Sequence, residues 1–103
     1  MAGQLACHRI GAGHAYVGHV ARFGMMVLRD FWGSGVARRL VEGMDRYAAD
    51  EKIIRIEAMV RADNHRGRRF YAKSGFVEEG VRRKAAMIDG VLLDDVYIAK
   101  IYA

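Results

Sequence analysis

Apolar and polar residues alternate over residues 17–28, where Val17, Ala21, Phe23, Met25 and Val27 share one face at period two and His19 falls at the same inward parity. That period predicts a strand. A shorter strand is predicted over residues 3–10, with Gly11, Gly13 and His14 as the loop between the two. The period then changes: Val36, Leu40, Met44, Tyr47 and Ala48 recur at helical spacing, which predicts an amphipathic helix over about residues 35–50. On its polar side Glu42 and Arg46 stand four apart in the favourable order. Strand character returns over residues 53–60, with Ile54, Ile56, Ala58 and Val60 on one face. Asp63 and Asn64 are good caps for a second helix over residues 64–74, and Gly75 is a suitable stop, because glycine accepts the left-handed conformation at little cost. Two extended runs, Phe76 to Met87 and Val91 to Ile101, flank Asp89-Gly90, a strong hairpin signal. The predicted order is β-β-α-β-α-β-β. This is an α/β fold with a mixed sheet, parallel at the strand–helix–strand steps and antiparallel at the last hairpin.

Length and composition narrow the class. A chain of 103 residues, with no repeat, linker or low-complexity run, is expected to form a single domain over residues 1–103. Hydrophobic residues at 52% and charged residues at 28% suit a globular chain rather than a disordered one. No apolar run approaches the roughly 20 residues that a membrane-spanning helix needs; the one around Met25 to Leu28 is short. Residues 1–10 lack the basic segment and apolar core of a signal peptide. Cys7 is the single cysteine, which rules out an intrachain disulfide or a cysteine-cluster metal site, and His8, His14 and His65 show no metal-ligand spacing. The expectation is a cytoplasmic protein without a metal. The net charge of +5 suits an anionic partner or serves solubility alone. A nucleic-acid partner is disfavoured, since no basic stripe interleaved with aromatics is present.

The stretch that carries chemistry runs Val27-Leu28-Arg29-Asp30-Phe31-Trp32-Gly33-Ser34-Gly35-Val36-Ala37-Arg38. A strand ends, a Gly-x-Gly turn follows, and a helix begins. Such a turn either aims several backbone N–H groups and a helix dipole at a phosphate, or is an ordinary tight turn. It is not a Walker A loop, because no Gly-Lys-Ser/Thr closes it. It is a poor dinucleotide fingerprint, with Arg38 where a third glycine or alanine belongs.

Trp32-Gly33-Ser34-Gly35-Val36-Ala37 resembles the acetyl-CoA signature of the GNAT family of N-acetyltransferases, Gln/Arg-Gly-x-Gly-x-Gly/Ala, with Trp32 departing at the first position. A second block is similar to the family's Asn…Leu-Tyr-x-Lys-x-Gly-Phe…Glu-Gly: Asn64, then Phe70-Tyr71-Ala72-Lys73-Ser74-Gly75-Phe76, then Glu79-Gly80. The resemblance covers about residues 17–102 and is greatest to small bacterial amino-acid and ribosomal-protein N-acetyltransferases. It implies acetyl-CoA as co-substrate and a primary amine as acceptor: an amino acid, a small amine or a protein N-terminus. It makes Trp32 a cofactor-binding position at the head of the motif and places the pyrophosphate on the turn from Gly33 through Ser34, Gly35, Val36 and Ala37 to Arg38. Arg38 and Arg39 either add charge there or are solvated. It lays the pantetheine arm along Met26, Val27 and Leu28, whose N–H groups would face the acetyl oxygen. Asn64 corresponds to an asparagine near that arm, and a helix cap is compatible with that position. Tyr71 corresponds to the family's tyrosine near the sulfur, a general acid in some members, or is a packed aromatic. Lys73 reaches a phosphate or is solvated. Glu57, on the central strand, either orders a water as a base or pairs with Arg55 or a neighbour. His19 reads as a core or rim residue.

The chain departs from the family pattern before Val17. About 16 residues stand where the family has a strand, two helices and a further strand, so the first strand and both helices are expected to be missing. This leaves an open sheet edge, and a homodimer is expected to cover it. It also keeps open the alternative of a non-catalytic CoA-binding module. Gly67 replaces a common alanine in the second helix, at about 1 kcal/mol.

Overall fold

A computed structural model describes residues 3–10, 18–27 and 33–102. The described elements are β1 (Gly3–Arg9), β2 (Val20–Val27), α1 (Val36–Asp50), β3 (Arg55–Arg61), α2 (His65–Lys73), β4 (Val77–Ile88) and β5 (Val91–Ile101). Their order is the one the sequence predicts, and the fold is mixed α/β. The loop expected at Gly11, Gly13 and His14, and the strand ends Val17 and Leu28, lie outside the described residues.

The chain divides into two compact units. The first comprises the described residues through Ile56, together with Tyr102. Here β1 and β2 pair antiparallel from Gly3↔Val27 to Arg9↔Ala21, and α1 lies against β1. Its buried residues are Val20, Ala21, Phe23, Val36, Val41, Met44, Ala48, Ile53 and Ile56. The apolar stripe of α1 is close to the predicted one, with Val41 buried and Leu40 and Tyr47 half-buried. Glu42 makes its ion pair one turn earlier than predicted, with Arg38 at 3.6 Å rather than toward Arg46. Two polar ties close this unit. Arg9 donates to the carbonyls of Gly18 and Glu51, and the Tyr102 hydroxyl donates to Asp45 Oδ1 at 2.6 Å. Burial, and then the hydrogen bond to the Asp45 carboxylate, hold the Tyr102 phenol far above its usual range.

Two expectations fail at strand beginnings. His19 is exposed in the turn before β2, and its carbonyl accepts the N–H groups of Ile54 and Arg55. Ile53 is buried while Ile54 is 51% exposed, the reverse of the predicted face. Both residues precede β3, so strand parity does not govern them, and the Ile53 N–H bonds the Ala48 carbonyl at the end of α1.

The second unit runs from Glu57 to Ile101. Its strands are ordered β3-β5-β4. β4 and β5 form the predicted hairpin, closed by Asp89 and Gly90 at φ 51° and 78°. Positive φ at both central residues gives the turn a twist that matches the strands. β4 carries extra residues at two places, between Glu78 and Gly80 and between Arg82 and Ala86. At the second bulge Lys84 takes φ 52°, and its N–H is held by Asp94 Oδ1 at 2.8 Å. The core of this unit is Val60, Phe76, Val96, Ile98 and Ala99; α2 buries no residue fully.

Candidate functional site

In the first unit the glycine turn stands where the sequence puts it. Gly33 and Gly35 take φ 79° and 89°, a region that L side chains rarely enter, so a side chain at either position is strained and glycine is favoured. Gly35 is the N-cap of α1. It supplies no side chain to cap the helix, and the first turn holds no acidic residue. The N–H groups of Val36, Ala37 and Arg38 therefore begin a helix whose positive end is not offset by a carboxylate of that turn. Ser34 is exposed beside them. Of the two arginines, Arg38 extends to Glu42, with its side chain 80% exposed. Arg39 turns back: its Nη1 lies 3.3 Å from where a Cβ on Gly35 would stand. The cation beside the glycine turn is thus Arg39, which spacing alone did not distinguish from Arg38. Met26 and Val27 end β2, paired with Gln4 and Gly3. Leu28 and Trp32 lie outside the described residues.

In the second unit Asn64 caps α2, its Oδ1 accepting the Gly67 N–H at 2.9 Å. Gly67 is therefore in the first turn of the helix rather than at its middle. Tyr71 is half-buried, with its ring edge-on to Phe70 at 5.4 Å and to Phe76 at 5.5 Å. Its carbonyl accepts the N–H groups of Ser74 and Phe76, both at 3.0 Å, which fixes the corner between α2 and β4. Burial raises the Tyr71 phenol above its ordinary value, so it keeps its proton throughout the neutral range. Gly75 ends the helix at φ 98°. Lys73 is exposed in the last turn, and Glu57 is half-buried on β3.

The sequence did not reveal Arg68 and Glu78. Arg68 donates through Nε to Glu78 Oε2 at 2.8 Å and through Nη2 to Oε1 at 2.9 Å, the two-pronged geometry of a guanidinium on a carboxylate. That hydrogen-bonded pairing holds the Glu78 carboxyl below its usual range. Both residues line a surface depression of about 320 Å³ with His65 and Arg69. Three of the five Arg68 N–H groups donate to protein acceptors, two to Glu78 and one to the Ala62 carbonyl.

A family model described as the acetyltransferase (GNAT) family matches residues 1–76, and the chain belongs to that family. It is 34% identical over 87 residues to the L-amino acid N-acetyltransferase AaaT of Escherichia coli (strain K12), covering 81% of this chain and 52% of that protein. Its fold is similar to that of an acetyltransferase of the GNAT family from Streptococcus pneumoniae, with TM-score 0.89 at 23% identity, over 99% of this chain and 60% of that one. It is also similar to the ribosomal-protein-S5-alanine acetyltransferase of Vibrio fischeri, with TM-score 0.81 at 25% identity, over 96% of this chain and 53% of that one. The chain thus spans about half the length of the curated relative that it matches.

Proposed function

We propose that this chain binds acetyl-CoA and takes part in transfer of its acetyl group to a primary amine. The observation that carries the reading is the left-handed Gly33–Gly35 turn at the start of α1, with Arg39 folded against it. A Cβ at Gly35 would crowd that guanidinium and stand at the helix end where a phosphate would approach. The N–H groups of Val36, Ala37 and Arg38 hold the pyrophosphate, and Arg39 adds charge to it. Met26, Val27 and Leu28 remain the expected path of the pantetheine arm, and Trp32 at the head of the motif remains a cofactor-binding position. Lys73 is a further cation for a phosphate.

Bound acetyl-CoA supplies an activated thioester. Amide formation at its carbonyl carbon breaks the C–S bond, removes one proton from the amine nitrogen and delivers one to the departing sulfur. In this reading the Tyr71 hydroxyl delivers the second proton. Its raised pKa keeps it loaded. The Glu57 carboxylate takes the first through a water, and Asn64 borders the arm. The acceptor is an amino acid, a small amine or a protein N-terminus. A name that specifies L-amino acids for the 34% identical relative supports the first of these. The reading includes a cytoplasmic homodimer. The exposed apolar residues Val77, Val81, Met87, Val91 and Leu92 on the last hairpin support self-association.

Calorimetry with acetyl-CoA, followed by thiol release against a panel of amines, tests the proposal. Gly35→Glu sets bulk and negative charge against the phosphates, and binding is expected to be lost in a folded protein. Unchanged affinity overturns the assignment.

A further inference from the structure

Arg68 precedes Tyr71 by three residues on α2, so both side chains leave neighbouring positions on one side of the helix. The Arg68 guanidinium reaches acceptors on both flanks of that helix. Behind it, Nη1 donates to the carbonyl of Ala62 at 2.7 Å, in the turn leaving β3. Ahead of it, Nε and Nη2 grip Glu78, the second residue of β4. Ala62 is itself tied to β5, because its N–H bonds the Asp94 carbonyl at 2.9 Å. One side chain therefore joins the end of β3, the helix and the start of β4. Tyr71 sits inside that loop, its carbonyl bonded to the Phe76 N–H and its ring against Phe76.

α2 buries no residue fully, so a polar tie adds to the half-buried packing of Phe70 and Tyr71 in holding the helix. A partly exposed ion pair adds little stability, but a planar two-pronged contact restricts geometry. We propose that Arg68 and Glu78 are a positioning pair for Tyr71, setting the place of its hydroxyl by clamping the corner between α2 and β4. The proposal rests on the reading of Tyr71 as proton donor to the thiolate.

The test compares wild type with Arg68→Met, Arg68→Lys, Glu78→Gln and the reversed pair Arg68→Glu/Glu78→Arg. Two readouts are taken: kcat and KM for acetyl-CoA, and the ring NMR signals of Tyr71 at neutral pH, assigned with Tyr71→Phe. Misplacing a reacting group by about 1 Å can cost on the order of 10²-fold in rate. Arg68→Met is expected to lower kcat about tenfold or more, leave KM within about twofold, and shift the Tyr71 ring signals as the contacts with Phe70 and Phe76 change. Arg68→Lys, which lacks the fork, does not restore kcat, whereas the reversed pair restores a substantial part of it. Unchanged kcat and unchanged ring signals in folded Arg68→Met overturn the proposal, as does equal loss in the reversed pair. If Arg68→Met fails to fold, Glu78→Gln carries the same measurements, since it keeps the shape of a half-exposed side chain. If the wild type acetylates no amine, the function reading fails by itself. The ring signals then still decide whether this pair positions Tyr71: a shift supports it and constancy refutes it.

Discussion

Gly67→Ala exposes how tightly the start of α2 is built. Helix propensity alone favours alanine over glycine by about 1 kcal/mol. At this position the new Cβ would lie 2.4 Å from Asn64 Nδ2, 2.9 Å from Cγ and 3.0 Å from Oδ1. The amide must swing aside, and in doing so it leaves the Gly67 N–H that it caps at 2.9 Å. Loss of such a cap costs about 1 kcal/mol, within a range of roughly 0.5–2. The two terms cancel to within about 0.5 kcal/mol. Asn64→Ala alone should lose about 1 kcal/mol. In that background Gly67→Ala has nothing to displace and should return about 1 kcal/mol. A four-protein thermal or urea cycle therefore gives a coupling of about 1 kcal/mol, equivalent to a difference of about 4–8 °C in Tm for a domain of this size. A gain of that size from Gly67→Ala in wild type, repeated unchanged in Asn64→Ala, would refute the reasoning. The cycle also bears on binding: if Asn64 borders the pantetheine arm, Gly67→Ala weakens acetyl-CoA binding as Asn64→Ala does.

Two further outcomes follow from the second unit. Tyr71→Phe keeps the edge-on contacts with Phe70 and Phe76 and removes only the hydroxyl. Turnover should fall about 10²-fold with acetyl-CoA affinity nearly kept, and wild-type turnover should not decline through loss of this acid until the pH exceeds the ordinary phenol value of 10.0; equal turnover in the variant would make Tyr71 a packing residue only. Glu78 has its folded pKa depressed below 4.5, so its contribution is complete above the unfolded value and is lost as pH falls through the depressed one. The stabilities of wild type and Glu78→Gln, measured by urea unfolding, should accordingly converge on acidification, and a gap of constant size from neutral to strongly acidic pH would contradict the pairing.

The parts of the molecule that were legible in the sequence are those fixed by short-range backbone geometry. The turn at Asp89-Gly90, the stop at Gly75, the cap at Asn64 and the Gly33–Gly35 turn each depend on a few consecutive residues, and each stands where it was expected. The errors occur where the backbone leaves a regular period. Strand parity does not extend to Ile53 and Ile54, which precede β3: Ile53, whose N–H bonds the Ala48 carbonyl, is buried and Ile54 is exposed. Arg68–Glu78 and Tyr102–Asp45 span 10 and 57 residues, distances over which residue spacing carries no signal.

β4 shows the same limit in its strongest form. Between Arg82 and Ala86 the chain advances four positions while its partner moves only from Asp95 to Leu93. An alternating pattern read through residues 76–87 therefore cannot keep its register, because the bulge adds residues to one strand and none to the other. What makes the detour tenable is Asp94. Its side chain accepts the N–H of Lys84, in the left-handed region at φ 52°. Its carbonyl accepts the N–H of Ala62, whose own carbonyl is held by Arg68. A carboxylate on β5 thus replaces the ladder partner that the bulge removes on one side, while its backbone anchors on the other side the turn on which the Tyr71 helix is mounted. Neither the bulge nor the clamp has a local sequence signature, because each requires residues from separate elements.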